Sequence, residues 1–473
     1  MTTVRLYDSL SRSIQDFRPI SSGPVGIYSC GPTVYARQHL GNLRPYVFAD
    51  LLRRTLEAAG YSVRHVINIT DVGHLTSDAD EGADKVELAA ERARTSALTI
   101  TEYFTDLFRT DLERLGTRPP EHWAKASEHV PEQIQLILRL EAQGFSYLTS
   151  DGVYFDTSRA PHYGELSGLR ASAEHSRVSA QGEKRNAADF ALWKFSPSSG
   201  PRRQLEWPSP WGVGFPGWHI ECSAMANKYL GAQFEIHTGG VDHVAVHHTN
   251  EIAQSEHALG VRPWVKYWMH GAWLTLDGAK IAKSSGNAPD LDDLIAAGLS
   301  AAGYRYYLLT AHYRAHLDLT LDGLRAAETA FGRLSNFVTR HREPHTPTAN
   351  ATRQWRQLFY EALYDDLDAP RALSVLWSIF ADASLEPRTR ATLIGDLGAI
   401  LGLRWQPTDQ TTATLDLALT QLVEAREAAR IARDFAAADA LRARLLSHGY
   451  SIEDAAEGPI VRRVAREALP DPS

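Results

Sequence analysis

The chain contains only two cysteines, Cys30 and Cys222, and each lies in a segment rich in glycine, proline, histidine and tryptophan. Further along the chain is the run His247-His248-Thr249-Asn250-Glu251. Two thiols, an imidazole and a carboxylate form a complete set of zinc ligands. A zinc site with thiolate ligands can also distinguish sulfur from oxygen in a bound molecule. Such a site would suit a protein that handles a thiol.

The spacing leaves the choice of the imidazole ligand open among three histidines. His247 lies four residues before Glu251 and His248 lies three before it, and either spacing places the pair on one face of a helix. His243 lies four residues before His247 and is a third candidate. Each histidine, taken singly, could instead be a hydrogen-bonded core residue. Because both cysteines of the chain belong to the same constellation, the pattern favours a metal site.

Residues 32–42 form a second motif, whose pattern is typical of an anion-binding site. Val25–Tyr28 has the composition of a short strand, and a glycine turn separates it from a helical pattern that begins at Asn42. At a helix N-terminus, unpaired N–H groups and the helix dipole attract phosphates. Gly41 would let a nucleotide approach the backbone, and His39 could donate a hydrogen bond to a phosphate. Taken alone, however, a motif this short also occurs by chance.

The third motif is Lys280–Asn287, in which two lysines three residues apart precede serines and a glycine. Lys280 and Lys283 would form a cationic loop that stabilises the negative charge of a triphosphate. A solvated surface loop is the alternative when this motif is considered by itself.

The composition is that of an ordinary globular protein. The chain has 473 residues, of which 44% are hydrophobic and 22% charged, and this length suggests about three domains of roughly 150 residues each. A net charge of −8 argues against a general polyanion-binding protein. No apolar run reaches the ~18 residues of a membrane span, and the N-terminus lacks a signal-peptide pattern. Two cysteines suit a reducing compartment, so we expect a cytoplasmic protein.

Hydrophobic periodicity predicts a parallel sheet in the first part of the chain. Residues 42–58 have helical periodicity, and the β-branched run 63–69 is typical of a buried strand. Residues 85–115 form a long amphipathic pattern, which predicts one helical region. Together with the strand at 25–28, this order gives a βαβ unit and an α/β fold.

The remainder of the chain divides into an irregular part and a helical part. From about Pro119 to Pro210 the pattern is mixed, as in an insertion between two halves of a sheet. A strand resumes at Phe234–Ile236 and leads to Gly239 and Gly240. From about Ala326 onward the pattern is almost wholly helical.

These motifs together resemble the cysteinyl-tRNA synthetase family of class I aminoacyl-tRNA synthetases. The resemblance covers about residues 1–465, and its strength lies in the order of several motifs. In chain order they are an N-terminal signature (Tyr28–Tyr35), the HIGH-type motif (His39–Asn42), the second strand (Asn68–Val72), a highly specific block (Gly217–Met225), the zinc helix (His247–Ser255), a KMSKS-type loop (Lys280–Asn287) and a helix of the anticodon-binding bundle (Asp434–Arg442).

The resemblance implies a fold and a division into domains. A Rossmann-type catalytic domain with a parallel sheet is expected over residues 1–325. It would contain a connective insertion at about 119–210 and a lysine-loop region at about 262–325. An all-α helical bundle of the anticodon-binding type is expected over residues 326–473.

The resemblance also implies roles for individual residues. The zinc ligands would be Cys30, Cys222, His247 and Glu251, because the family pattern selects the first histidine of the pair. The residues implied for adenylate formation are His39, Asn42, Lys280 and Lys283. The residues implied for ATP binding are His39, Gly41, Gly239, Gly240 and Lys283, with Mg²⁺ expected to accompany ATP. The residues implied for the amino-acid pocket are Thr70, Trp218 and Asp242.

Several residues depart from the family pattern. Ile281-Ala282 replaces the usual Met-Ser of the lysine loop, and Ser285 replaces the usual leucine. His243 stands where leucine is more usual. Both lysines and all four implied zinc ligands are present, so we expect altered behaviour of the loop rather than loss of the chemistry.

The function implied by the resemblance is ATP-dependent activation of L-cysteine and its transfer to the 3′ end of tRNA(Cys), with one zinc ion recognising the thiol. We expect a monomer with no membrane association. Three alternatives remain open: a mycothiol-ligase-like enzyme that transfers cysteine to an amino sugar, a zinc hydrolase, and an inactive zinc-binding paralogue. The helical tail favours tRNA over a small acceptor, and a hydrolase would leave the lysine loop unexplained.

Overall fold

The computed structural model describes residues 3–72, 84–168, 183–196, 203–281, 288–341, 347, 349–405, 417–432, 434–447, 450–455 and 458–463. The strands are β1 (Arg5–Asp8), β2 (Ser13–Asp16), β3 (Val25–Ser29), β4 (Val63–Ile69), β5 (His122–Lys125), β6 (Ser146–Leu148), β7 (Gly152–Phe155), β8 (Phe190–Phe195), β9 (Gly214–Pro216), β10 (Phe234–Gly240), β11 (Val265–Gly271), β12 (Leu274–Leu276), β13 (Ala279–Lys280), β14 (Leu317–Leu319), β15 (Tyr450–Ala455) and β16 (Gly458–Arg463). The helices are α1 (Leu40–Ala58), α2 (Lys85–Ala93), α3 (Ala97–Arg114), α4 (Val130–Ala142), α5 (Trp218–Leu230), α6 (His247–Leu259), α7 (Leu291–Ala296), α8 (Ala301–Leu309), α9 (Leu321–His341), α10 (Ala349–Leu363), α11 (Ala369–Ala381), α12 (Pro387–Ile400), α13 (Leu417–Ile431) and α14 (Phe435–Ser447).

A five-stranded parallel sheet lies at the centre of the fold, in the order β11-β10-β3-β4-β5. From β3, the strands β4 and β5 are added on one side of the sheet, and β10 and β11 are added on the other. The strand order therefore reverses between β3 and β10. In open α/β sheets, ligands bind beyond the carboxyl ends of the strands at such a switch point. The predicted βαβ unit and parallel sheet are confirmed.

Local structure differs from the sequence prediction in three places. The single helical region expected over residues 85–115 is two helices, because Arg94 adopts a left-handed conformation (φ 52°) and ends α2, after which Ser96 caps α3. Helix α1 begins at Leu40 rather than at residue 42. Strand β10 extends to Gly240, four residues further than the pattern indicated.

A separate antiparallel sheet, β6-β7-β8-β9, packs with α4 onto the central domain. Its buried residues share one cluster with Ile220 and Ala224 of α5 and Ala253 of α6. The sheet therefore supports the two helices that carry Cys222 and Glu251. Strand β5, in contrast, pairs with β4 in the central sheet.

Helices α9 to α12 join the central domain through one continuous hydrophobic core. At the junction, the buried guanidinium of Arg305 donates to Asp50 Oδ2 at 2.5 Å and to the carbonyl oxygens of Leu401 and Leu115 at 2.8 and 3.1 Å. One side chain thus ties α8 to α1, α3 and the end of α12. None of the described helices has the length and apolarity that a membrane span requires.

The C-terminal part is helical, as expected, but it also contains a hairpin. Strands β15 and β16 pair in antiparallel fashion, with Tyr450 opposite Arg463. The prediction of an all-α region did not include these strands. Ile452, Ile460 and Val461 have high strand propensity, and Ile452 packs with Leu445 of α14 in a small separate cluster.

Candidate active site

The four implied zinc ligands lie together at the switch point of the central sheet. Cys30 directly follows β3, Cys222 lies on α5, and His247 and Glu251 lie one turn apart on α6. All four are buried, and their ligand atoms all lie within 4.8 Å of one another. The His247 Nε2 and Glu251 Oε1 atoms are 2.9 Å apart. Segments distant in the sequence therefore converge to form this cluster.

The chemistry of this donor set fits zinc. Two sulfurs, one imidazole nitrogen and one carboxylate oxygen match the ligand types and the number that zinc prefers. Magnesium and calcium prefer oxygen ligands only, so the two thiols disfavour these ions. The donors are shielded from water, with Cys222 1% exposed and Glu251 fully buried.

A second donor set overlaps the first. It consists of Cys30, His237, His248 and Glu251, whose ligand atoms also lie within 4.8 Å of one another. His248 Nε2 is 3.3 Å from Cys30 Sγ, and His237 Nε2 is 3.0 Å from Glu251 Oε2. The sequence analysis missed His237, which lies inside β10. His243, which the spacing left open as a ligand, belongs to neither set.

Of the two sets, only the one with His247 includes both cysteines. Its two sulfur donors are softer ligands than the second imidazole of the other set, and they match a zinc site better. Each of the two candidate histidines has a partner for its other nitrogen: His247 Nδ1 is 2.9 Å from His219 Nδ1, and His248 Nδ1 is 2.7 Å from His270 Nε2. Partners of this kind orient imidazole ligands around metals. The two sulfurs of the first set, and not these partners, favour His247 as the metal ligand; this choice stays a prediction.

The electrostatics of the cluster favour a cation. Burial raises the pKa of the Cys30 thiol well above its ordinary value. Burial acts in the same direction on Cys222, but its hydrogen bond with Cys30 and the nearby His247 lower the pKa of Cys222 to about 6. Against the effect of burial, His237 and His247 hold the pKa of Glu251 well below its usual range. Despite its burial, the neighbouring Glu251 and Cys222 raise the pKa of His247 to about 10.

At neutral pH, the cluster without a metal would therefore hold a thiolate on Cys222, a carboxylate on Glu251 and an imidazolium on His247. The Cys222 thiolate and the Glu251 carboxylate place negative charge in a buried site. A divalent cation would compensate this charge and displace the proton of His247, since metal ligands bind in their deprotonated forms.

Alanine substitutions of the three histidines separate their roles. We expect His247→Ala to lose zinc during dialysis against a chelator, because a ligand is removed. His248→Ala should weaken zinc affinity by only about 10- to 100-fold, as is usual for a residue around the ligands. His243→Ala is the matched control and should keep its zinc. The assignment is wrong if His248→Ala loses zinc while His247→Ala retains it.

The N-terminus of α1 forms the candidate phosphate site. His39 is the N-cap, and its Nδ1 accepts a hydrogen bond from the Asn42 backbone N–H at 3.3 Å. In the neutral ring the hydrogen then resides on Nε2, which makes that atom a donor. A Cβ at Gly41 would stand 3.1 Å from the His39 ring, so any side chain here would shift the ring by a few tenths of an ångström.

Gly239 and Gly240 end β10 beside the metal cluster. A Cβ on Gly239 would lie 2.6 Å from His248 Cε1 and 2.7 Å from His243 Nδ1. A Cβ on Gly240 would clash with Asp242 Oδ1. Any side chain at either position would therefore displace a residue of the site. Their implied contact with ATP stays a prediction.

The three implied pocket residues have different surroundings. The ring of Trp218 stacks on His247, with centroids 4.4 Å apart. Thr70 is buried, and its hydroxyl donates to Glu221 Oε2 at 3.2 Å. Asp242 is exposed and lies in the short turn after β10. Glu221, which precedes Cys222, was not among the residues selected from the sequence.

The lysine loop begins at a tight hairpin. Lys280 lies on β13, opposite Thr275 of β12, and the turn residues Asp277 and Gly278 both have positive φ, as a type I′ turn requires. Lys283 lies outside the described residues, as do Ala282 and Ser285 among the departures from the family pattern.

Comparison with known proteins places the chain in a family. Residues 16–329 match the family model described as the tRNA synthetases class I (C) catalytic domain. The chain is 47% identical to cysteine–tRNA ligase 1 of Burkholderia lata, over 96% of this chain and 95% of that protein. It is 42% identical to a cysteine–tRNA ligase of Thermus thermophilus, over 96% of this chain and 98% of that protein.

Solved structures share the fold at lower identity. The LeuRS of Agrobacterium radiobacter, in a ternary complex with tRNA and LeuAMS, matches with a TM-score of 0.58 and 13% identity, over 82% of this chain and 84% of that one. The methionyl-tRNA synthetase of Mycobacterium tuberculosis bound by methionyl-adenylate matches with a TM-score of 0.52 and 15% identity, over 80% and 90%. The sheet topology, the motifs and these matches show that the chain belongs to the cysteine–tRNA ligase family of class I aminoacyl-tRNA synthetases, which are ATP-dependent ligases.

Proposed function

We propose that the chain activates L-cysteine with ATP and transfers the cysteinyl group to the 3′ end of tRNA(Cys), and that a zinc ion recognises the cysteine thiol. The observation that carries this proposal is the buried set of two thiols, an imidazole and a carboxylate at the switch point of the sheet. The helix N-terminus capped by His39 supplies the phosphate site of the same domain.

In the activation step, the carboxylate oxygen of cysteine attacks the α-phosphorus of ATP, and pyrophosphate leaves. No covalent nucleophile of the protein is needed, so the protein acts by positioning and by stabilising charge. The Nε2–H of His39 and the first N–H groups of α1 would contact the phosphates on one side. Lys280 and Lys283 would contact them on the other, with Mg²⁺ accompanying the nucleotide.

The metal cluster would select the amino acid. Cys30, Cys222, His247 and Glu251 would hold the zinc ion, which would supply an affinity for a thiol that a serine hydroxyl cannot match. Sites that demand one specific polar contact reject the wrong substrate by ~10⁴–10⁵-fold. Trp218 stacks on His247, and we assign it to the wall of this pocket together with Thr70 and Asp242.

Transfer would follow from the adenylate, whose carbonyl carbon is attacked by a hydroxyl of the terminal ribose of tRNA with release of AMP. Helices α9 to α14 and the β15–β16 hairpin are proposed to contact the tRNA. The chain matches the two cysteine–tRNA ligases named above over nearly their whole length, including their C-terminal parts, which supports this assignment. We propose that the protein acts as a monomer in the cytoplasm.

Two assays on the full chain test the function. Exchange of labelled pyrophosphate into ATP should require cysteine and should not occur with serine. Total tRNA should then accept labelled cysteine, whereas an amino-sugar acceptor should not. Exchange without tRNA charging would overturn the proposed acceptor. The absence of exchange in the zinc-loaded protein would overturn the proposed activity altogether.

Truncation after Trp405 tests the role of the C-terminal segment. This cut leaves α9 to α12 in place, because their buried residues belong to the core of the central domain. Cysteine-dependent pyrophosphate exchange should persist. The rate of tRNA charging should fall by at least ~10-fold, because the cut removes the phosphate contacts proposed for this segment. Thermal unfolding of both forms checks that the core remains folded. If the shortened protein charges tRNA as well as the full chain, the segment has no role in tRNA binding.

A further inference from the structure

Arg37, two residues before His39, lies at the centre of a network of ion pairs. Its guanidinium donates to both oxygens of Asp111 on α3, through Nη2 at 2.8 Å and Nε at 3.2 Å. Nη1 donates to Asp292, and Nε lies 3.5 Å from Asp290. The Asp111 side chain is only 1% exposed, so this two-point contact fixes the orientation of the guanidinium.

Asp290 and Asp292 belong to the segment that follows the lysine loop. Asp290 is the N-cap of α7, where it forms a capping box with Asp293, and Asp292 lies in the first turn of that helix. The backbone adds a further link, since the N–H of Leu40 donates to the carbonyl oxygen of Pro289 at 2.8 Å. The exit from the lysine loop is therefore joined to the start of α1 by both side chains and backbone.

The entry to the lysine loop is joined to the same helix. Arg44, on the second turn of α1, donates to the carbonyl oxygens of Ala272 and Trp273 at 2.9 and 2.7 Å, just before β12. Ile281 is buried, and its Cδ1 would lie 3.5 Å from a Cβ on Gly41. Helix α1 thus contacts the chain on both sides of the loop that carries Lys283.

We infer that Arg37 is a positioning residue for adenylate formation, which fixes the exit of the lysine loop relative to His39. This inference rests on the proposed function, in which His39 and the lysines act on the same phosphates. A rigid planar guanidinium with three carboxylate partners suits this task, and a lysine cannot replace its geometry. Misplacement of reacting groups by about 1 Å can slow a reaction by ~10²-fold.

Steady-state pyrophosphate exchange by the full-length, zinc-loaded protein tests the inference. We expect Arg37→Gln to lower kcat by about 10- to 100-fold. The KM for cysteine should stay unchanged, because the carboxylates that Arg37 contacts lie on α3 and α7 and not in the metal cluster. Arg37→Lys should regain only part of the loss. Asp292→Asn removes one exposed partner and should lower kcat by about 2- to 5-fold, the range of an exposed ion pair.

Asp151→Asn is the matched control, since Asp151 is as exposed as Asp292 and forms a 2.6 Å ion pair with Lys194 in the antiparallel sheet, away from the proposed site. It should leave kcat unchanged. In the Arg37→Gln background, Asp292→Asn should have little additional effect, because their link is already lost. If Arg37→Gln does not fold, the comparison of Asp292→Asn with Asp151→Asn decides the question.

Two results would overturn the inference. One is an unchanged kcat in both Arg37→Gln and Asp292→Asn, with normal exchange in the wild type. The other is an equal change in the KM for cysteine and for ATP together with a lower Tm, which would indicate a role in stability only. No exchange in the wild type would instead overturn the proposed function.

Discussion

Replacement of Cys222 by serine is expected to abolish zinc retention and cysteine activation together. A hydroxyl is a poor zinc ligand, and the lowered pKa of Cys222 makes this thiol a ready thiolate donor of the cluster. Serine has nearly the same shape, so the fold of α5 should be preserved. We expect one zinc per chain in the wild type, less than a tenth of this in the variant, and cysteine-dependent exchange lowered by at least ~10³-fold.

Ser223→Ala provides the control for this substitution. Ser223 is the next residue on α5 and is fully buried, but its hydroxyl accepts hydrogen bonds from Gln254 and Ser255 instead of facing the metal cluster. This variant should retain zinc and activity. A Cys222→Ser protein that holds a full equivalent of zinc and activates cysteine normally would show that the four residues are not the ligand set.

The second large effect is expected for Lys283→Ala, which should slow adenylate formation by at least ~10²-fold. The lysine is assigned to the negative charge that develops on the phosphates, and removal of such a preorganised group costs this much in comparable sites. Cysteine affinity should change little, because the metal cluster is a separate part of the site. Single-turnover formation of the adenylate, followed by rapid quench, measures the step itself.

Lys228→Ala is the control for the loss of a lysine. Lys228 forms an ion pair with Glu132 at 2.6 Å on the surface and has no assigned part in the reaction. Its substitution should leave the rate unchanged. A Lys283→Ala protein that forms the adenylate at the wild-type rate would show that the role implied by the family motif does not apply to this loop, in which Ile281-Ala282 replaces the usual pair.

The two sulfur donors of the metal cluster were predictable from the sequence because cysteine is scarce in this chain. With only Cys30 and Cys222 available, any site with two sulfurs had to use both. The choice between His247 and His248 was not predictable from spacing, since both positions share a helical face with Glu251. His237 was missed because a histidine inside a buried strand has no local pattern that distinguishes it from a core residue.

Hydrophobic periodicity predicted the parallel sheet, but it did not predict where the helices end. Arg94 adopts a left-handed conformation that sequences usually signal with glycine, so the division between α2 and α3 was hidden. The ion pairs of Arg37 were also hidden, because Asp111 and Asp292 are distant in the sequence and meet only after the sheet and helices assemble.

The proposal that zinc binds the thiol of the substrate is tested most directly by zinc X-ray absorption spectroscopy. With Cys30 and Cys222 as the sulfur ligands, the zinc-loaded protein should show two sulfur atoms per zinc at about 2.3 Å. Saturating cysteine should raise this number to three, and serine should leave it at two. A count that stays at two with saturating cysteine, in protein that exchanges pyrophosphate, would contradict recognition of the thiol by the metal.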